Sequence, residues 1–352
     1  MPHSRYTAEK IMTGRNACHF FVFLAGNLQK VIFVHMKKIL AILLMLATVF
    51  PAASQESKWA VVNVSSCFMR ARPDYESGNE TQCLMGTVLE VSGKERYWLR
   101  VSAPDYRDCW VNELSLVLMS EAEKDAYIAA PKLICTAEHT HVFSAADESS
   151  DRICDFVMGD IVRASSATEC GGWTPVILPS GREGWARSGD VEDFDVWVGS
   201  RTATGESLTA FARRFIGVPY LWGGNTIEHF DCSGLTKFVY MMNGIVLPRN
   251  AREQIRCGVE VPFDYGKMQP GDLVFFGSLR DDGSIGSVTH VAMYIGDGRI
   301  IHSSQLVRIN SLKPGLPDSY GRTPIAVRRI LGHVDAGLGA VSAEVQPWYF
   351  SK

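Results

Sequence analysis

Residues 58–195 carry one pattern written twice, which limits this stretch to folds that a segment of about sixty residues can close. In the first copy Gly86 precedes Trp98, and Trp110 follows twelve residues later; in the second Gly159 precedes Trp173, and Trp185 again follows twelve later. The surrounding strings agree in character: Met85-Gly-Thr-Val-Leu-Glu-Val with Met158-Gly-Asp-Ile-Val-Arg-Ala, and Trp98-Leu-Arg-Val with Trp173-Thr-Pro-Val. Short alternating runs bounded by turn residues predict two small β-barrels, at 58–118 and 131–195. The charged, helix-permissive run Ser120 to Tyr127 predicts a helix in the linker 119–130, and the four tryptophans are expected in the barrel cores.

The pattern changes near residue 205. Ser207 to Phe215 reads as an amphipathic helix ended by Gly217-Val-Pro219. Cys232 opens an apolar helical run whose buried face is Leu235, Phe238, Val239 and Met242, and Gly244 marks its end. Strand-like runs follow Pro270-Gly271-Asp272: Leu273 to Phe276, Val291 to Ile295, Arg299 to Ile301 and Ile325 to Ile330, with Gly296-Asp297-Gly298 as a tight turn. Helices followed by an antiparallel sheet predict an α+β domain over 205–333, with a tail at 334–352.

This domain carries the residues of a thiol-dependent acyl-transfer site. A cysteine attacks as its thiolate and needs a base, which in turn needs a partner to hold its tautomer. At a helix amino terminus, the dipole and the free N–H groups are expected to favour the Cys232 thiolate. His290 is the candidate base, and His302, twelve residues later across the tight turn, is placed to orient it. A lone cysteine is most often buried filler and a lone strand histidine ordinary structure. The signal lies in the ordered set Tyr220-x-Trp222-Gly-Gly, Asp231-Cys-Ser-Gly234, Pro270-Gly-Asp-Leu273, Thr289-His-Val291 and Ile301-His-Ser303. His139 and His141 with Cys135 and Cys154 lack the CxxC-type spacing of a zinc site, so neither metal nor cofactor is expected. Gly223-Gly224 is followed by no Lys-Ser/Thr pair and reads, with Trp222, as part of a cleft floor and not a phosphate cradle.

Over 205–333 these motifs closely resemble the NlpC/P60 cysteine peptidases, cell-wall enzymes with a papain-like fold. The two repeats resemble bacterial SH3-like domains, through the glycine and tryptophan spacing and Met69-Arg-Ala-Arg72. The resemblance makes Cys232 the nucleophile, His290 the base, His302 the orienting residue, and Tyr220 a donor to the oxyanion. Two SH3-like domains before such a domain look like the γ-D-glutamyl-L-diamino acid endopeptidases of muropeptide recycling. By that likeness Asp231 and Ser233 hold the free amino group of an amino-terminal L-alanine, Trp222 contributes to substrate binding, and the first SH3-like domain closes one end of the cleft through Tyr106 or Glu76. The sequence departs from the family there, since Arg107-Asp108-Cys109-Trp110 replaces the more usual glycine before tryptophan. The implied reaction is hydrolysis of the γ-D-glutamyl–diamino acid amide, with meso-diaminopimelate or lysine as the diamino acid. The alternatives are a wall-binding protein anchored by its SH3-like domains with an inert third domain, and acyl transfer to an amine in place of water.

The remaining expectations concern place and partners. Met36-Lys-Lys38, the apolar run Ile39 to Ala47 and the small residues Ala52-Ala-Ser54 form the three regions of a secretory signal peptide cleaved after Ser54. Residues 1–35 then read as an upstream extension from a misassigned start. The protein is expected in the periplasm, without membrane insertion after cleavage, as a monomer acting on peptidoglycan stem peptides or muropeptides. A net charge of −3 argues against nucleic acid. Of nine cysteines, six fall at 67–170, where export permits one or two disulfides; the other reading makes them small buried hydrophobes.

Overall fold

The repeat reappears in the strand order. In the computed structural model, which describes residues 57–346, Trp59 to Met119 and Lys132 to Asp193 each form a seven-stranded antiparallel sheet. Counting strands from the start of each copy, both sheets run third, second, sixth, fifth, fourth, first, seventh. The first closes over Val62, Met69, Leu89, Leu99, Val101 and Val111, the second over Leu133, Val142, Phe156, Val162, Val176 and Ala186. The predicted signal peptide and upstream extension lie outside the described residues, and among the described residues no helix is long and apolar enough to cross a membrane.

Two expectations need correcting here. Trp98 and Trp173 are buried, but Trp110 and Trp185 are only half-buried. Strand side chains alternate between faces, and Cys109 and Val111, like Gly184 and Ala186, take the inward positions on either side of each second tryptophan. The eight described cysteines are all free thiols. Cys67 and Cys83 face each other across paired strands and pack with Met69 and Cys109 as small apolar groups in the first core.

Ser120 caps the linker helix Glu121–Ala129 through a capping box with Glu123. A helix at Phe194–Ser200, between the second repeat and the domain that begins at 205, seats Phe194, Trp197 and Val198 in the largest core. Thr204 caps the helix Gly205–Arg213, and the helix that Cys232 opens runs Cys232–Met241. Leu235, Phe238 and Val239 of that helix meet Phe215 and Phe230 on one side and Val291 and Ile301 of the sheet on the other.

The sheet has six strands, in the order Val259–Glu260, Pro324–Arg329, Leu273–Leu279, Ile285–Gly296, Arg299–Ser304 and Leu306–Ser311. Asp297 and Gly298 both take positive φ, 55° and 74°, and this reverses the chain between the two histidine strands. Within the tail, Val341–Ser342 pairs with Ile245–Val246.

Candidate active site

The position of Cys232 is set by its neighbours. Asp231 is the extended amino-terminal cap of the Cys232–Met241 helix, and its Oδ1 accepts from the Gly234 amide at 2.7 Å. A Cβ on Gly234 would sit 1.9 Å from the Gly224 carbonyl oxygen, so only glycine lets this turn approach the preceding loop. The Asp231 carboxylate also accepts from the Gly223 amide at 3.0 Å, from the Ser233 hydroxyl at 3.2 Å, and from Arg249 through both terminal nitrogens at 3.0 and 2.6 Å. Arg249 is about 1% exposed and donates its Nε to Thr81 Oγ1 of the first barrel at 2.7 Å. Arg249, paired with Asp231 and bonded to Thr81, therefore ties the Cys232 helix to the neighbouring barrel.

Strand pairing delivers the histidines. His290 lies within the long strand Ile285–Gly296, opposite Phe276, and His302 lies on the next strand. Their rings meet through His290 Nε2 and His302 Nδ1 at 2.7 Å. His302 Nε2 lies 2.9 Å from Asn310 Oδ1 on the edge strand. The ring of Tyr320 packs on both, with centroids 5.4 Å from His290 and 4.7 Å from His302.

Cys232, His290, Tyr220, Trp222, Asp231, Ser233 and Tyr106 line one cleft of about 320 Å³. The structure thus brings together every residue the sequence singled out for the site except His302, which stands behind His290, and Glu76. Glu76 lies on an exposed turn, and Glu80, on the following strand, lines the cleft in its place. Glu80 Oε2 accepts from the Tyr106 hydroxyl at 2.6 Å. Trp222 stands on the rim, 69% exposed, with its carbonyl held by Asn79 of the same barrel at 3.1 Å.

The electrostatics differ from the sequence expectation of a stabilised thiolate. Burial, then the charge of Asp231, pushes the Cys232 thiol up to about 11, although the amides of Val291 and Ser233 and the Arg249 charge pull the other way. Burial, then His302 and Arg322, pushes His290 down to about 3, and burial pushes His302 down to about 4. A helix end supplies only about 0.3–1 kcal/mol at an exposed site, too little to offset desolvation of a charge. Burial thus disfavours both charged forms, the thiolate and the imidazolium. Tyr220, raised to about 12 chiefly by burial and then by Cys232, keeps its phenolic proton to donate.

A pH dependence follows. Unfolded histidine titrates near about 6.5. A depressed folded value means the unfolded chain binds more protons below that pH, so the pair's contribution to stability is complete above about 6.5 and falls as pH drops toward the folded values. The acid limb of kcat/KM should likewise lie below about pH 5. An acid limb at pH 6.5 or above in a kcat/KM profile would contradict a neutral, desolvated base.

Sequence reasoning missed Glu80, Arg249, Asn310 and Tyr320. The strand alternation that buries Thr81 does place Glu80 on the other face, but nothing in the sequence says which barrel face meets the cleft.

Comparison with known proteins agrees with this geometry. Residues 217–320 match the NlpC/P60 family. A Bacillus cereus protein named gamma-D-glutamyl-L-lysine dipeptidyl-peptidase is 31% identical over 265 residues, covering 72% of this chain and 75% of that protein. Dipeptidyl-peptidase 6 of Lysinibacillus sphaericus is 28% identical over 268 residues, covering 72% of this chain and 91% of that one. The crystal structure of an NlpC/P60 family protein from Bacillus cereus superposes with a TM-score of 0.63 at 27% identity, covering 78% of this chain and 99% of that chain.

Proposed function

This chain belongs to the NlpC/P60 family and is a cysteine peptidase, and from that premise we propose that it hydrolyses the γ-D-glutamyl–diamino acid amide of peptidoglycan stem peptides bearing a free amino-terminal L-alanine. The observation that carries the finer reading is the charge distribution of the cleft. Asp231 is already matched by Arg249, with its oxygens taken by internal donors. Glu80 has only the neutral Tyr106 hydroxyl beside it among the hydrogen bonds and ion pairs of the described residues, so its carboxylate faces a cleft that Arg252 also lines without being tied to a cation there. An ammonium suits that position. We therefore assign the amino group of L-alanine to Glu80 and Tyr106, with Asp231 and Ser233 fixing the helix that carries the nucleophile.

The reaction then runs on this chain's own groups. Cys232 Sγ attacks the γ-carbonyl of the D-glutamyl residue as its proton passes to His290. The Tyr220 hydroxyl and the amides at the start of the nucleophile helix receive the oxyanion. His290 returns the proton to the departing amine of the diamino acid, and water, deprotonated by the same imidazole, releases the dipeptide from sulfur. The diamino acid is diaminopimelate or lysine, and the signal-peptide pattern supports the periplasm as the place of the reaction.

Glu80→Gln removes the charge and keeps the shape. Its kcat/KM on L-Ala-γ-D-Glu-diaminopimelate should fall at least about tenfold, while the already slow turnover of the N-acetylated peptide should not change. Equal losses on both substrates, or none on either, would refute the assignment.

A further inference from the structure

The histidine pair works as a base only if its protons sit on the right nitrogens. We propose that Asn310 fixes those positions, so that His290 Nδ1 is the nitrogen left bare for the Cys232 proton. The Asp318 backbone carbonyl can only accept, and Asn310 Nδ2 lies 2.8 Å from it. The same carbonyl accepts from the Ser311 amide at 3.0 Å, which together with the Tyr320 amide on the Ser311 carbonyl pins this loop to the edge strand.

The amide nitrogen of Asn310 therefore faces Asp318, and its oxygen faces His302. That oxygen also can only accept, so His302 must carry its proton on Nε2. A neutral His302 then has a bare Nδ1, which accepts from His290 Nε2–H across the 2.7 Å contact. The remaining nitrogen of neutral His290, Nδ1, has no proton. Cys232 and His290 line the same cleft, and the amide of Val291, next along the strand, lowers the thiol's pKa, so this histidine sits at the thiol.

Reversing any bond in the chain reverses all of them. With the proton on His302 Nδ1, His290 would have to accept at Nε2 and carry its own proton on Nδ1, where it cannot take one from sulfur. During attack the proton moves from Sγ to His290 Nδ1 and later to the leaving amine nitrogen, and the bonds to His302 and Asn310 stay in place throughout. Asn310 touches no substrate, so it is a positioning residue. The groups facing the pair are Cys232 and Arg322 near His290, Arg308 near His302, and Tyr320 over both rings. Among the described residues no carboxylate forms an ion pair with either ring.

The inference rests on the hydrolytic reading only through the choice of substrate, so its test has an arm that needs none. Long-range ¹⁵N–¹H NMR of the histidine side chains in the full chain should show His302 as the Nε2–H tautomer in the wild type. It should show a mixture in Asn310→Leu. The same variant should lose about thirty- to a hundredfold in kcat on the tripeptide, with KM within about twofold. Asn310→Asp keeps the acceptor at His302 and gives up the bond to Asp318. It should retain the wild-type tautomer and kcat within about tenfold, and the added negative charge should move the acid limb of the pH profile upward.

A wild-type tautomer in Asn310→Leu, whatever its activity, would overturn the proposal. Equal kcat losses in both variants with the tautomer unchanged in both would show a merely structural role and overturn it as well.

Discussion

Cys232→Ala should abolish cleavage of L-Ala-γ-D-Glu-diaminopimelate, with kcat down by at least about 10⁴-fold and the urea midpoint close to that of the wild type. The size of the loss follows from the chemistry. The other aliphatic hydroxyls of the cleft are engaged: that of Ser233 is held between Asp231 and Arg249, and that of Thr289 donates to the Phe276 carbonyl. The fold should survive because Cys232 is only half-buried and alanine is well tolerated in the first turn of a helix capped by Asp231. His290→Ala should match this loss, since attack by a thiol raised to about 11 needs the base at neutral pH. A Cys232→Ala variant with a tenth or more of the wild-type rate would remove the nucleophile assignment.

The largest effect on stability is expected at a residue that does no chemistry. Arg249→Leu leaves the Asp231 carboxylate, 8% exposed, without its counter-charge and strips Thr81 of its partner across the barrel junction. Breaking a buried pair from one side typically costs about 3–5 kcal/mol, because the remaining charge stays desolvated and unmatched. Activity should fall with it, since Asp231 also holds the amides of Gly223 and Gly234 around the nucleophile. The paired variant discriminates. Adding Asp231→Asn to Arg249→Leu removes the orphaned charge and should recover more than half of the lost stability in urea melts. If the single variant loses less than about 1 kcal/mol, or the second substitution only adds to the damage, the ion pair is not what holds the cleft wall to the first barrel.

What the sequence revealed and what it hid divide along physical lines. Cys232, His290 and His302 were readable because each motif carries its own local context: a capped apolar helix, and two strands joined by a turn whose residues accept positive φ. That the two repeats share one strand order was implicit in the twin glycine and tryptophan spacings. Trp110 and Trp185 went astray although the alternation of Cys109 and Val111, and of Gly184 and Ala186, was already enough to turn them outward.

Contacts between parts far apart in the chain were hidden. Glu80 enters the cleft only because Gly223, at φ 77°, lets the loop before the nucleophile lie against the backbone of Glu80; a Cβ there would come within 2.9 Å of it. Reading Glu76 instead was an error of four residues along one barrel edge. Arg249 pairs across 18 residues with Asp231 and across 168 with Thr81, and Asn310 depends on a loop carbonyl eight residues on. The state of the thiol was hidden for another reason: a helix terminus can be read from sequence, whereas the depth at which it is buried cannot.

The central claim, a thiol peptidase that cuts behind a γ-linked D-glutamate when the peptide's amino terminus is free, is tested most directly by product masses. Purified protein would be incubated with L-Ala-γ-D-Glu-diaminopimelate and, in parallel, with its N-acetylated form. L-Ala-γ-D-Glu and free diaminopimelate are expected from the first and little product from the second. An uncut free tripeptide, or release of L-alanine alone, would contradict it.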